Sequence, residues 1–158
     1  MKKSLRKGFS FGLTSGVITT LGLLIGLHSS THSAKAVLGG IIVIAIADGL
    51  SDALGIHVSE EAEAVHTDRE IWAATLSTFV GKFVVAMSFA VPFVVLSLGT
   101  AVIVSLVWGF VLIGSLSAYM AIKQEMQPLW VVLEHLGIAV AVVIITHYVG
   151  HWVGQYPG

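Results

Sequence analysis

The stretch KAVLGGIIVIAIADGLSDALGIHV, residues 35–58, decides the fold. Its charged side chains are Lys35 at the start and Asp48 and Asp52 within. The rest is apolar or small, over more than the roughly 20 residues of helix that cross a hydrocarbon core. Only helices and closed β-barrels satisfy their backbone groups in lipid. Barrel strands alternate in polarity over about ten residues, and residues 38–47, LGGIIVIAIA, do not. The stretch therefore reads as a membrane-spanning helix.

Similar runs lie on either side. One spans residues 9–27, behind a basic start that holds Lys2, Lys3, Arg6 and Lys7. No small-residue cleavage site ends that run, so it reads as a first transmembrane helix with its cytoplasmic anchor rather than a signal peptide. Further runs cover residues 72–95, about 100–122 and 128–153. Pro92 predicts a kink or a stop near the end of the third, and Pro128 suits the first turn of the fifth. Short polar turns separate the runs, at residues 28–33, 97–100 and 123–127. The most charged stretch is a short acidic loop at residues 59–70. Within it, Thr67 and Glu70 have the spacing of a capping box, and Asp68 suits the positive end of a helix.

Composition agrees. The chain of 158 residues is 56% hydrophobic and 11% charged, with mean hydropathy +0.93. Soluble domains carry about 25% charged residues. No polar linker divides the chain, so residues 1–158 form one domain. The net charge of −1 gives no reason to expect nucleic acid, and the lack of cysteine removes disulfides, thiolate ligands and redox pairs. The expected architecture is an all-α integral membrane bundle of five helices, with membrane lipid as its surroundings. The host is the cell membrane in a prokaryote and an organelle membrane otherwise. Lys2, Lys3, Arg6, Lys7, Arg69 and Lys123 fall on one side and Lys35 on the other. The positive-inside bias then places the N-terminus in the cytoplasm and the end, residues 155–158, outside. The aromatics Trp72, Trp130, Trp152 and Tyr156 fall where interfacial belts are expected.

Glycines recur four apart at Gly8, Gly12 and Gly16, at Gly22 and Gly26, and at Gly150 and Gly154. Such spacing allows close helix approach in lipid, either within one subunit or along a dimer seam on the first helix.

Ionisable groups inside a membrane cost about 2.5–3.5 kcal/mol each on insertion scales and are functional candidates for that reason. Here they are Asp48, Asp52, Lys82, Glu134, His135 and His147. Asp48 and Asp52 are four apart and leave one helix face, one turn apart. Their mutual repulsion is relieved either by a divalent cation, which suits oxygen ligands, or by a salt bridge to Lys82. Ser15 and Ser51 offer further oxygens. Glu60, Glu63 and His66 are three apart. They read either as a metal-gathering group, with the carboxylate-x-x-His spacing of di-iron proteins, or as a solvated loop. His28 with His32, and His147 with His151, read either as transition-metal pairs or as interfacial surface. No nucleophile, base and orienting group stand at a readable spacing, so neither an enzyme nor a resident cofactor is expected.

Three stretches resemble the vacuolar iron transporter family: residues 11–20, FGLTSGVITT; residues 47–55, ADGLSDALG; and residues 146–154, THYVGHWVG. With the five spans, the resemblance covers nearly the whole chain. The sequence departs from the family pattern at defined places. The family's first-helix Asp falls on Ser15, its second-helix Met on Asp52, and the Glu and Tyr of its Gly-Glu-Tyr on Ile56 and His57. The acidic insert that gathers metal is reduced to a stub. The resemblance implies a homodimer in a lineage of divalent-cation transporters. The expected function is export or sequestration of Mn²⁺ or Fe²⁺ from the cytoplasm, in exchange for protons, with Lys82 in charge pairing and proton coupling. The alternatives are a membrane scaffold or regulatory subunit that keeps the fold without transport, and a transporter of a non-metal substrate.

Overall fold

Each apolar run becomes one helix in the computed structural model, which describes residues 2–156; Met1 of the basic start and residues 157 and 158 of the expected external end lie outside the described residues. The helices are α1 (Lys2–Thr31), α2 (Ala34–Ala62), α3 (Asp68–Val95), α4 (Leu98–Lys123) and α5 (Pro128–Val153). All five are long and apolar enough to cross a membrane. At 1.5 Å per residue, even the 26-residue α4 and α5 exceed a hydrocarbon core of about 30 Å.

The turns are shorter than the sequence suggests, because polar residues that look like loop extend or cap the helices. The turn expected at residues 28–33 shrinks to His32 and Ser33, since α1 continues through Thr31. His32 takes the left-handed conformation, φ 51°, and the Ser33 hydroxyl caps α2 by accepting from the Ala36 N–H at 3.3 Å. The loop expected at residues 59–70 is likewise narrowed to residues 63–67. Glu60 lies within α2, and α3 starts at Asp68. The capping box of Thr67 and Glu70 forms. Pro92 lies inside α3 without stopping it at once; the helix ends three residues later, where the Leu96 N–H donates to the Pro92 carbonyl at 2.9 Å.

α1 is the axis of the bundle and packs against all four other helices, most extensively against α3. α2 packs on α1 and α3, while α4 and α5 pair on another side of α1. Val17, Leu21 and Leu24 of α1, Ile41 of α2, Phe89 of α3 and Ile113 of α4 are buried together. Large apolar side chains also cover the outside, including Val43 and Leu54 of α2, Val84 of α3 and Ile145 of α5. Helices that are apolar all round belong in a bilayer.

The glycine stripe on α1 faces α3 of the same chain. A Cβ on Gly12 would lie 2.2 Å from the Thr78 carbonyl oxygen, and one on Gly8 would lie 2.2 Å from that of Ala74. Thr78 crosses the contact and donates its hydroxyl to the Gly8 carbonyl at 3.1 Å. Of the two readings of this stripe, packing within one subunit holds, and the seam between copies along Gly8, Gly12 and Gly16 does not, because α3 occupies that face. Towards the other end, α1 meets α5, where a Cβ on Gly150 would lie 2.3 Å from the Gly26 carbonyl oxygen.

Gly12→Leu should force α1 off α3 and lower the thermal midpoint in detergent, by about 1–3 kcal/mol of overpacking or more. Gly137→Leu adds the same bulk where nothing lies within 4 Å and should leave the midpoint unchanged. Equal midpoints for both variants would contradict the α1–α3 contact.

Candidate cation site

The close approach of α1 buries Lys82. The side chain starts from α3 opposite Gly16, whose Cβ would lie 3.2 Å from the Lys82 Cα, and is 1% exposed. An ammonium so placed requires negative partners, and α2 supplies two. Lys82 Nζ lies 2.5 Å from Asp48 Oδ2 and 2.5 Å from Asp52 Oδ2. It also donates to Ser15 Oγ at 2.9 Å, and the Ser15 hydroxyl donates to Asp52 Oδ2 at 2.6 Å. The contact to Asp48 is ionic in distance but not aligned as a hydrogen bond. The aspartate spacing thus does what one helical turn allows: both carboxylates reach one point.

Four of the candidate residues, Ser15, Asp48, Asp52 and Lys82, form one group. Ser51 stands apart, exposed on the outer face of α2. The carboxylates are partly open, with side chains 30% exposed for Asp48 and 20% for Asp52. With two carboxylates against one ammonium, the group carries a net charge of −1 when fully ionised.

The second candidate group also assembles. Because α2 runs through Glu60, the ligand atoms of Glu60, Glu63 and His66 lie within 4.8 Å of one another. His66 Nε2 is 3.1 Å from Glu63 Oε2 and 3.4 Å from Glu60 Oε2. Glu60 is 1% exposed, and its carboxylate is held by Lys7, which also reaches Glu63 Oε1 at 3.3 Å. Lys7 was legible only as an anchoring charge. No local signal links it to residues more than fifty positions away. The His66 imidazole, and then the Lys7 ammonium, hold the Glu63 carboxyl below the usual glutamate range. A depressed folded value means that these contacts are fully present above about pH 4.3 and are lost as the pH falls through the folded value.

Two histidines of α5 have hydroxyl partners on neighbouring helices, whereas the buried hydroxyls of Thr20 and Ser105 have none. His135 Nδ1 is 2.7 Å from Ser117 Oγ, joining α5 to α4. His147 Nδ1 is 2.8 Å from Ser29 Oγ, joining α5 to α1. Glu134 is exposed. His28 and His32 have ring centroids 5.5 Å apart, and those of His147 and His151 are 6.5 Å apart. Among the described residues, the group of Glu60, Glu63 and His66 is the one in which three such ligand atoms converge. His57 bonds Thr75 Oγ1 at 3.0 Å and sits edge-on to Trp72.

Lys82→Met removes the shared counter-charge and strands both aspartates. It should cost about 3–5 kcal/mol, as breaking buried ion pairs does, read as a lower thermal midpoint. Adding Asp48→Asn and Asp52→Asn should restore most of that loss. A single variant as stable as the parent would remove the ion pairs from the account of the fold.

No family model matches the chain, and no curated protein and no solved structure matches it either.

Proposed function

We propose that the chain is a transporter that moves a divalent metal cation out of the cytoplasm, with Asp48 and Asp52 as its intramembrane site. The observation that carries this reading is the charge of the Asp48–Lys82–Asp52 group. With all three groups ionised, Lys82 neutralises one carboxylate equivalent and one negative charge is left over between α2 and α3. Such a charge calls for a proton or a cation. A group that accepts either in turn is suited to exchanging one for the other. Charge balances if each divalent cation that binds the aspartates displaces one proton from the Asp48–Lys82–Asp52 group, and each that leaves is replaced by one. Ser15, already bonded to both sides of the pair, supplies a further oxygen.

The motif resemblance supports the same class. Asp52 stands where the family has Met, so a hard oxygen replaces a soft sulfur, which moves preference from Fe²⁺ towards Mn²⁺. Glu60, Glu63 and His66 would capture the metal at the entrance, displacing Lys7. The bias of basic residues supports a cytoplasmic N-terminus and an external C-terminus in this reading, and with them a cytoplasmic entrance. The protein acts as a homodimer, and α2 offers the seam. Gly39, Ala47, Ser51 and Gly55 keep four- or eight-residue spacing along its exposed face, and nothing lies within 4 Å of a Cβ at Gly39 or Gly55. A partner there would also cover the partly open aspartates.

The pairing of Lys82 with both aspartates favours one second reading, a membrane scaffold in which the group serves only stability. Metal-dependent thermal stabilisation separates the two, because a ligand bound to the folded state raises apparent stability.

In liposomes, Mn²⁺ uptake should respond to a pH gradient. Asp48→Asn and Asp52→Asn should abolish uptake at equal expression, and Asp52→Met should keep iron transport and lose the preference for manganese. Unchanged rates in both Asn variants would exclude the site. Cysteine at position 51 should cross-link two copies in membranes, whereas cysteine at position 12 should not; the reverse result would move the seam back to α1.

A further inference from the structure

At the end of the bundle that holds Lys7 and Glu60, α1 and the α4–α5 pair part to leave a cleft of about 680 Å³. That is within the roughly 300–1,000 Å³ typical of ligand sites. Lys3, Arg6, Lys7 and Lys123 line it, against the two carboxylates of Glu60 and Glu63. Lys7 is taken up by those carboxylates. Among the described residues, Lys3, Arg6 and Lys123 have no carboxylate partner, and Lys123 lies 6.0 Å from the centre of the Tyr119 ring. Hydroxyls of Ser10 and Tyr119 add donors to the walls. The cleft therefore offers an anion three uncommitted cations at the depth of a membrane interface.

A second cavity, about 260 Å³, is lined by apolar side chains, among them Leu13 and Val17 of α1, Val85 of α3 and Leu112 and Leu116 of α4. Tyr119 lines both cavities. On α1, the lining passes from Ser10 and Thr14 in the first to Leu13 and Val17 in the second, so the two follow one another along α1, the second open on the side of Ser115 and Tyr119. Topological anchoring needs basic residues near the helix ends, but it needs neither a cleft between them nor an apolar chamber below.

We infer that this pair of cavities binds an anionic phospholipid, with the phosphate against Lys3, Arg6 and Lys123 and one acyl chain in the apolar chamber. Basic pockets between transmembrane helices take acidic headgroups in this way. The chemistry at the rim is that of a phosphate anion, which a soluble phosphate shares. The chamber beneath it is what selects the lipid. The site shares its rim with Glu60, Glu63 and His66 but is separate from the Asp48–Lys82–Asp52 group, so it stands whether or not that group carries a metal.

Native mass spectrometry of the full chain, released from detergent with phosphatidylglycerol or phosphatidylcholine of matched acyl chains, tests the inference. Phosphatidylglycerol should be retained in preference to phosphatidylcholine. Each basic residue near an acidic headgroup contributes roughly a fivefold factor, so Arg6→Gln with Lys123→Gln should weaken retention about 25-fold. Lys35→Gln, at the opposite end, should leave it unchanged. Leu116→Trp fills the apolar chamber and should lower retention of phosphatidylglycerol with the basic rim intact, which keeps the test open if the double variant does not fold. Equal retention of the two lipids by the parent chain would overturn the inference. So would inorganic phosphate raising the thermal midpoint as much as phosphatidylglycerol does while Leu116→Trp changes nothing, since that pattern belongs to a soluble-anion site.

Discussion

An ammonium group cannot be taken out of water alone, and in this chain Lys82 is taken out almost completely. The contacts that neutralise it fix three helices at once. Lys82 belongs to α3, both aspartates to α2, and the serine that bonds to the lysine and to one aspartate to α1. Any rotation of α2 or sliding of α1 would break a charged contact in a low dielectric, where an uncompensated charge is costly. The polar group at the centre therefore fixes the register of a bundle whose apolar surfaces alone would tolerate several.

The helices can come close enough to make these contacts because side chains are missing where they cross. Gly12 and Gly16 bring the α1 backbone against α3 on the turns beside Ser15, so a short hydroxyl reaches a lysine on the neighbouring helix. Bulk is thus removed next to the place where charge is concentrated. In lipid this matters more than in water, since apolar side chains gain little by leaving one hydrocarbon for another, and helices associate through close packing and polar contacts.

The number of helices, their type and most of their ends were legible in the sequence, because membrane spans are written in long-range composition. The shared face of Asp48 and Asp52 was legible from their spacing, and the capping box of Thr67 and Glu70 from a local pattern. What the sequence left open was which alternative each pattern served. The stripe of Gly8, Gly12 and Gly16 fits a seam between subunits as well as a contact within one, and only the position of α3 decides between them. Lys7 looked like an anchor, since its carboxylate partners arrive through the fold of two other segments. The join of Ser117 to His135 was hidden for the same reason: hydroxyls and imidazoles are common, and their pairing depends on how α4 and α5 cross.

α5 buries only Ala139 and Gly150 among its described residues. It holds to the bundle along α1 and α4, with Leu136 and Val143 against the core, and the rest of its surface faces outward. A 26-residue helix is longer than a bilayer of ordinary thickness requires, so it meets hydrophobic mismatch by tilting. The Asp48–Lys82–Asp52 group sits among α1, α2 and α3, where tilting of α5 does not reach it directly, whereas the basic cleft has α5 as part of its wall through His135. In a bilayer, a change of thickness would bear on the side of the molecule that holds the cleft before it reached the charged centre.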